Sequence, residues 1–175
     1  MPPPVLGIPG FPPGLAPSGE FRGDPRGAYP WWYPQSAIGR AIEWATLGTQ
    51  FLTLAAGTAN QAQITVGGGF AFVILETMAE ARDAATDADV PQPNVLVQLQ
   101  DSAGDANLFN APLHIRTVFG TAEEPHYWGT SGGGVPRILA PNTSLTVSVT
   151  SREPAIGLDL FLAFGGFRIW GNRPE

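Results

Sequence analysis

The sequence predicts an all-β chain: an antiparallel, jelly-roll-like β-sandwich of about eight strands, preceded by an extended Pro/Gly-rich arm. Three observations carry this. Ile156–Trp170 is the longest strongly apolar run, and its Leu158, Leu160, Leu162 and Phe164 alternate with Asp159, Phe161 and Ala163. Ser144–Ser151 alternates more cleanly still, with Leu145, Val147 and Val149 on one side and Thr146, Ser148 and Thr150 on the other. A period of two residues is that of a strand with one buried face. Third, turn-forming clusters of Gly, Pro, Asn and Asp recur between such segments along residues 46–170.

The last two strands are expected to pair as a hairpin through the polar Arg152–Ala155 and to form the centre of the sheet. Gly165-Gly166 breaks the final run and predicts a bulge or sharp bend. Upstream, Gln35–Ala45 reads as a short helical or irregular connector, with Ser36 as its cap and Ile38, Ala41, Ile42 and Ala45 on one face. Strands are expected at Thr49–Leu54 and around Ala62, Ile64 and Val66. Another follows the Gly67–Gly69 break, from Phe70 to about Ala79. Asp83–Pro93 reads as a polar loop and Asn94–Asp101 as a strand with Val95, Val97 and Leu99 inward. Pro112–Phe119 shows a further alternation, Leu113 and Ile115 against His114 and Arg116. Gly120–Gly134 reads as a long loop and Val135–Leu139 as a short strand. An immunoglobulin-like sandwich is the nearest alternative arrangement.

Composition narrows the function classes. Of 175 residues, 14% are charged and 43% hydrophobic, so much of the surface is neutral, against roughly 25% charged in typical soluble domains. Such a surface predicts a homo-oligomer, with a trimer as the expected closed assembly. The net charge is −6, and all nine basic residues are Arg. That balance argues against binding nucleic acid through its phosphates. There is no cysteine, hence no disulfide and no thiolate metal site. The N-terminus lacks the basic and apolar regions of a signal peptide, and no run is long enough for a membrane-spanning helix. Synthesis and assembly in a cytoplasm are the expectation.

Residues 1–34 differ from the remainder and are read as a separate arm, with 35–45 the connector and 46–175 the sandwich. The arm holds ten of the 18 prolines, interleaved with glycine. Proline removes backbone donors and glycine raises the entropy of ordering, so the arm builds no core of its own. Composition alone fits a disordered tail. The spaced apolar residues Val5, Leu6, Ile8, Phe11, Leu15 and Phe21, and the closing cluster Tyr29, Trp31, Trp32 and Tyr33, point instead to anchors on a partner surface. A polyproline-like chain of that length reaches on the order of 100 Å, at about 3.1 Å per residue.

Motifs for chemistry are weak. Gly129–Gly133 matches G-x-S-x-G, but the pattern needs a helix after the serine, and Gly133, Gly134 and Pro136 follow. His126 with Glu123 and Glu124, and His114 on a strand, lack any metal-ligand spacing. Asp83, Asp87 and Asp89 share a loop without the glycine and glutamate of a calcium-binding loop. Asn142-Thr143-Ser144 is a glycosylation sequon only in a secreted protein. No catalytic residue, metal or cofactor is therefore expected, and the chain is not expected to be an enzyme. Tyr127 and Trp128 in a Gly-rich loop, and Phe161 on the outward side of the last strand, are the candidate oligomer or ligand surfaces.

The stretch from Leu139 to Thr150, with the apolar strand ending at Trp170 and the opening residues 52–75 (LTLAAGTANQAQITVGGGFAFVIL), resembles the small β-sandwich accessory virion proteins of tailed bacteriophages. The resemblance spans roughly residues 46–170 and is one of pattern. It implies a head-decoration, or cement, protein that is commonly oligomeric, binds the major capsid protein or another virion subunit, and has no catalytic residues to carry over. A jelly roll also suits a carbohydrate- or receptor-binding module of a phage tail or head fibre, for which Trp128 is the candidate sugar-stacking residue.

Overall fold

The computed structural model describes residues 42–103, 106–128 and 136–171. Within them are ten strands and one helical turn: β1 Ile42–Leu54, β2 Ala59–Thr65, β3 Phe70–Asp83, β4 Val95–Asp101, β5 Ala106–Asn107, β6 Leu113–His114, α1 Ile115–Val118, β7 His126–Tyr127, β8 Arg137–Leu139, β9 Ser144–Ser151 and β10 Leu158–Trp170. They form two five-stranded sheets. The first runs β1-β10-β3, with β7 and β8 along the far side of β3; the second runs β2-β9-β4, with β5 and β6 along β4. Every ladder between these strands is antiparallel.

The order of pairing identifies the architecture. β1 pairs with β10, β2 with β9, β3 with β8, and β4 with the short β5 and β6. First meets last and each inner strand meets its mirror, so the chain is one long antiparallel ribbon rolled over on itself. That is a jelly roll, in which consecutive long strands alternate between two sheets over one core. The fold class read from the sequence is the one observed.

The strand faces follow the alternation. From β10, Leu158, Leu160, Leu162 and Phe164 point inward; from β9, Leu145, Val147 and Val149 do so; from β4, Val95, Val97 and Leu99. Phe72, Ile74, Ala79 and Ala81 of β3 complete the same cluster. Phe119 and Phe164 meet edge to face within it, 5.4 Å between ring centres.

The expected β9–β10 hairpin does not form. β9 is the middle long strand of one sheet and β10 of the other. Residues 152–157 carry the chain across the roughly 10 Å between packed sheets instead of turning within one. Both arrangements bury the same alternate residues, so periodicity settles each strand's face but not its neighbour.

Two further expectations are corrected. Ile42–Ala45, read as the end of a helix, opens β1; the rest of that connector lies outside the described residues. Ile42 and its neighbours pair with Ile169, Arg168, Phe167 and Gly166 of β10, so the partner strand overrides a local pattern that suited either state. In Pro112–Phe119 only Leu113–His114 is strand, and Ile115–Val118 is a helical turn. His114 Nδ1 accepts the Arg116 amide at its start. Ile115, Val118 and Phe119 are buried while Thr117 is exposed, a spacing that suits a helical turn rather than a strand.

The expected break at Gly165-Gly166 is a β-bulge. Gly165 pairs with Glu76 and Gly166 with Ile74, so Leu75 of β3 is the unpaired extra residue. Gly166 is required by close approach, since a Cβ there would strike the Val73 carbonyl; a Cβ on Gly165 would lie 2.5 Å from Glu76 Oε1 and displace that side chain.

Candidate interaction surface

Because β10 alternates through its whole length, Phe161, Ala163, Gly165, Phe167 and Ile169 line the outer face of the first sheet. The register places Ile42, Trp44, Thr46, Gly48 and Gln50 of β1 beside them, and Ala71, Val73, Glu76, Met78 and Glu80 of β3 on the other side. This face has two halves. At the bulge end it is apolar: Trp44, Phe167, Val73 and Ile138 form one cross-strand row, and Ile42, Ile169 and Ala71 the next. Trp44 and Phe167 pack edge to face at 5.3 Å; Val73, Phe167 and Ile169 are buried, whereas Trp44 and Ile138 keep 36% and 38% of their surface exposed. At the other end the face is polar, ending in Glu80, Arg82 and Asp159.

Phe161 lies on the polar half, 36% exposed, between Gln50 and Glu80 in register. With Leu162, Gly48, Thr49 and Gln50 it borders a shallow depression of about 550 Å³. It is outward-facing, as its place in the alternation implies.

Tyr127 and Trp128 sit elsewhere. Tyr127 pairs with Glu76 at the far edge of β3. Trp128 is half-buried and packs on the core; its ring meets Phe109 at 6.2 Å, and its amide donates to the carbonyl of the bulged Leu75, 2.7 Å away. The ring braces the strand edge and is not the freely exposed platform that sugar stacking needs. Phe161 and Trp128 are thus not brought together. The arm residues Val5, Leu6, Ile8, Phe11, Leu15, Phe21, Tyr29, Trp31, Trp32 and Tyr33 lie outside the described residues, as do residues 129–133 of the G-x-S-x-G match.

Glu76 marks the boundary between the two halves. Its side chain folds over Gly165, where no side chain competes. Burial there pushes its carboxyl above the usual carboxylate range. The acidic loop is self-satisfied: Asp83 Oδ1 accepts the Ala85 and Thr86 amides at 2.8 and 3.0 Å, and Arg82 bridges Glu80 at 2.6 Å and Asp87 at 3.1 Å. His114 and His126 fall on different sheets. Among the described residues no three His, Cys, Asp or Glu side chains gather into a metal site.

Sequence reasoning missed the contact that ties the sheets together at one end. Asp101, 1% exposed, ends β4 in one sheet; Arg137 begins β8 in the other and holds it at 2.5 Å. Asp101 Oδ1 also accepts the Ala103 amide at 2.9 Å. The partners are 36 residues apart in the chain, and no local signal joins them.

No protein-family model matches the chain, and no curated protein matches it. Among solved structures, the one described as "Cyanophage Pam1 capsid asymmetric unit" is similar at a TM-score of 0.42 and 16% identity, over 74% of this chain and 86% of that one. A likeness of that size bears on neither function nor partners.

Proposed function

We propose that the chain is a non-catalytic structural protein of a bacteriophage virion, of the head-decoration type, that associates with itself and with the major capsid protein or a neighbouring subunit. The observation that carries this reading is the apolar half of the outer face, where Trp44 and Ile138 stay 36% and 38% exposed over Val73, Phe167 and Ile169, which are themselves buried. An antiparallel sheet with one solvated face alternates apolar with polar; a sheet apolar on both faces is built for contact on its outside too. The low charge of the chain and the apolar anchors of residues 1–34 support the same reading. So does the sequence resemblance to accessory virion proteins. The arm acts as the tether, and assembly takes place in the bacterial cytoplasm. Mass spectrometry of purified particles, with antibody labelling of heads and tails, tests it: the chain is expected in stoichiometric amounts on the head, and its absence from particles overturns the proposal.

A second reading is favoured by one feature, the depression where Phe161 lies beside Gln50. An exposed aromatic ring flanked by an amide suits carbohydrate. A glycan array with Phe161→Ala as control separates the two: binding lost in the variant supports a receptor-binding module.

A further inference from the structure

The two flanks of the sandwich are unlike. On one, the described strands β5, β6, β7 and β8 are two or three residues each. Such short edges offer little to an incoming strand. On the other, the first sheet ends in β1, 13 residues long. Among the described residues no strand pairs with its outer edge. Thr46, Gly48, Gln50 and Leu52 are all exposed along it. Natural sheets protect a long edge with lysine, proline or inward-pointing charge. β1 has neither lysine nor proline, and its one charged residue is Glu43. The ladder to β10 stays regular from Ile42 to Phe51 and shifts between Phe51 and Leu54, where Thr53 adopts φ 52°. The edge is therefore regular from Ile42 to Phe51, with the exposed Leu52 next in line before the irregularity at Thr53.

We infer that this edge pairs with the same edge of a second copy, antiparallel about a two-fold axis at Gly48. The sequence of β1 is self-complementary in that register. On the outer face Trp44 comes opposite Leu52 of the other copy, Thr46 opposite Gln50, and Gly48 opposite itself. On the inner face Ala45 meets Phe51 and Leu47 meets Thr49, and Glu43, the one charged residue of β1, lies beyond these pairs, so no like charges face each other. Trp44 and Leu52 are the exposed large apolar residues of β1, at 36% and 56%, and Gly48 stands midway between them. Sliding the register by two residues puts Trp44 opposite Gln50 or opposite the buried Leu54. The depression bordered by Gly48, Thr49, Gln50 and Phe161 adjoins the seam. Main-chain hydrogen bonds supply the attachment, and the flanking Trp44–Leu52 pairs fix the register. The contact makes the two first sheets one continuous sheet, and its symmetry gives a dimer.

The absence of cysteine makes the test direct. In the full-length protein Gly48→Cys places two thiols across the axis, within roughly 4.5–5.5 Å between Cβ atoms. A Cβ at Gly48 meets only the Leu162 carbonyl, at 3.4 Å, so the strand accepts it. Mild oxidation is expected to give a disulfide-linked dimer with Gly48→Cys, and with a mixture of Thr46→Cys and Gln50→Cys chains, but not with Ala56→Cys in the exposed turn beyond β1. A second arm avoids the axis. The double variants Thr46→Lys/Gln50→Lys and Thr46→Glu/Gln50→Glu are each expected to be monomeric by native mass, and to form a mixed dimer when combined. A wild-type monomer or trimer at micromolar concentration overturns the inference. So does linkage of Gly48→Cys no greater than that of Ala56→Cys, or double variants that still self-associate.

Discussion

Replacing Leu160 with alanine removes a side chain at the centre of the core. Leu160 is fully buried in β10, between Phe51 of β1 and Ala81 of β3, which are 3% and 6% exposed. β10 is paired along both edges, so the backbone has little room to close the gap. The loss therefore combines the transfer term with a cavity term that relaxation scarcely reduces, about 3–4 kcal/mol within the 2.7–5.0 range for such substitutions. At roughly 3 °C per kcal/mol for a unit of this size, the thermal midpoint falls about 10 °C. Urea unfolding gives the same quantity as a midpoint shift of about 1.5–2 M, for a slope near 2 kcal/mol per molar. The control is Phe161→Ala, the next residue on the outer face. It is larger but 36% exposed, and its removal is expected to cost under about 1 kcal/mol. A loss at Leu160 below about 0.5 kcal/mol, or a greater loss at Phe161, refutes the strand phase on which the core rests.

Two other predictions concern charge. Arg137→Met strands the buried Asp101 carboxylate and is expected to cost about 3 kcal/mol, whereas adding Asp101→Leu recovers much of it; additive losses in a urea double-mutant cycle would mean the pair does not couple the sheets. Glu76 gives a pH dependence. Its folded carboxyl titrates above the ordinary value of 4.5, so the folded state favours the protonated form: the contribution is fully present below that value and is lost as pH rises through the raised one. Glu76→Gln should therefore raise the thermal midpoint at neutral pH and lose its advantage below about pH 4. A difference independent of pH would show that the carboxyl is not held in that environment.

The sequence carried the strand faces well, and strand length and partnership poorly: β1 runs Ile42–Leu54 where Thr49–Leu54 is read, and β3 runs on to Asp83. The inward residues of β4, β9 and β10 were legible because each buries alternate side chains, and the bulge was legible because two glycines interrupt the apolar run, Gly166 where the Val73 carbonyl leaves no room for a Cβ. Which strands are neighbours was not, since Val147 and Leu160 enter the core whether β9 and β10 share a sheet or face each other across it. Ile42–Ala45 suited a helix until a partner strand claimed it. The two-residue strands β5 to β7 are too short to show any period. For the candidate surface, Phe161 was legible from its place in the alternation. The bracing role of Trp128 was not, because Phe109 and the Leu75 carbonyl reach it from distant parts of the chain. The apolar half of the outer face was hidden for the same reason: Trp44, Val73, Ile138 and Phe167 come from four separate strands and meet only once the sheet is assembled.

The proposed role rests most heavily on attachment to a particle. Undecorated phage heads are mixed with the full-length protein or with a chain lacking residues 2–34, and bound fractions are compared after sedimentation. On this proposal the arm's anchors act together, so their removal is expected to weaken binding by orders of magnitude, while the truncated chain is expected to keep a cooperative unfolding transition near that of the full-length protein. Equal occupancy by the two chains, or failure of the full-length protein to bind heads at all, contradicts the account.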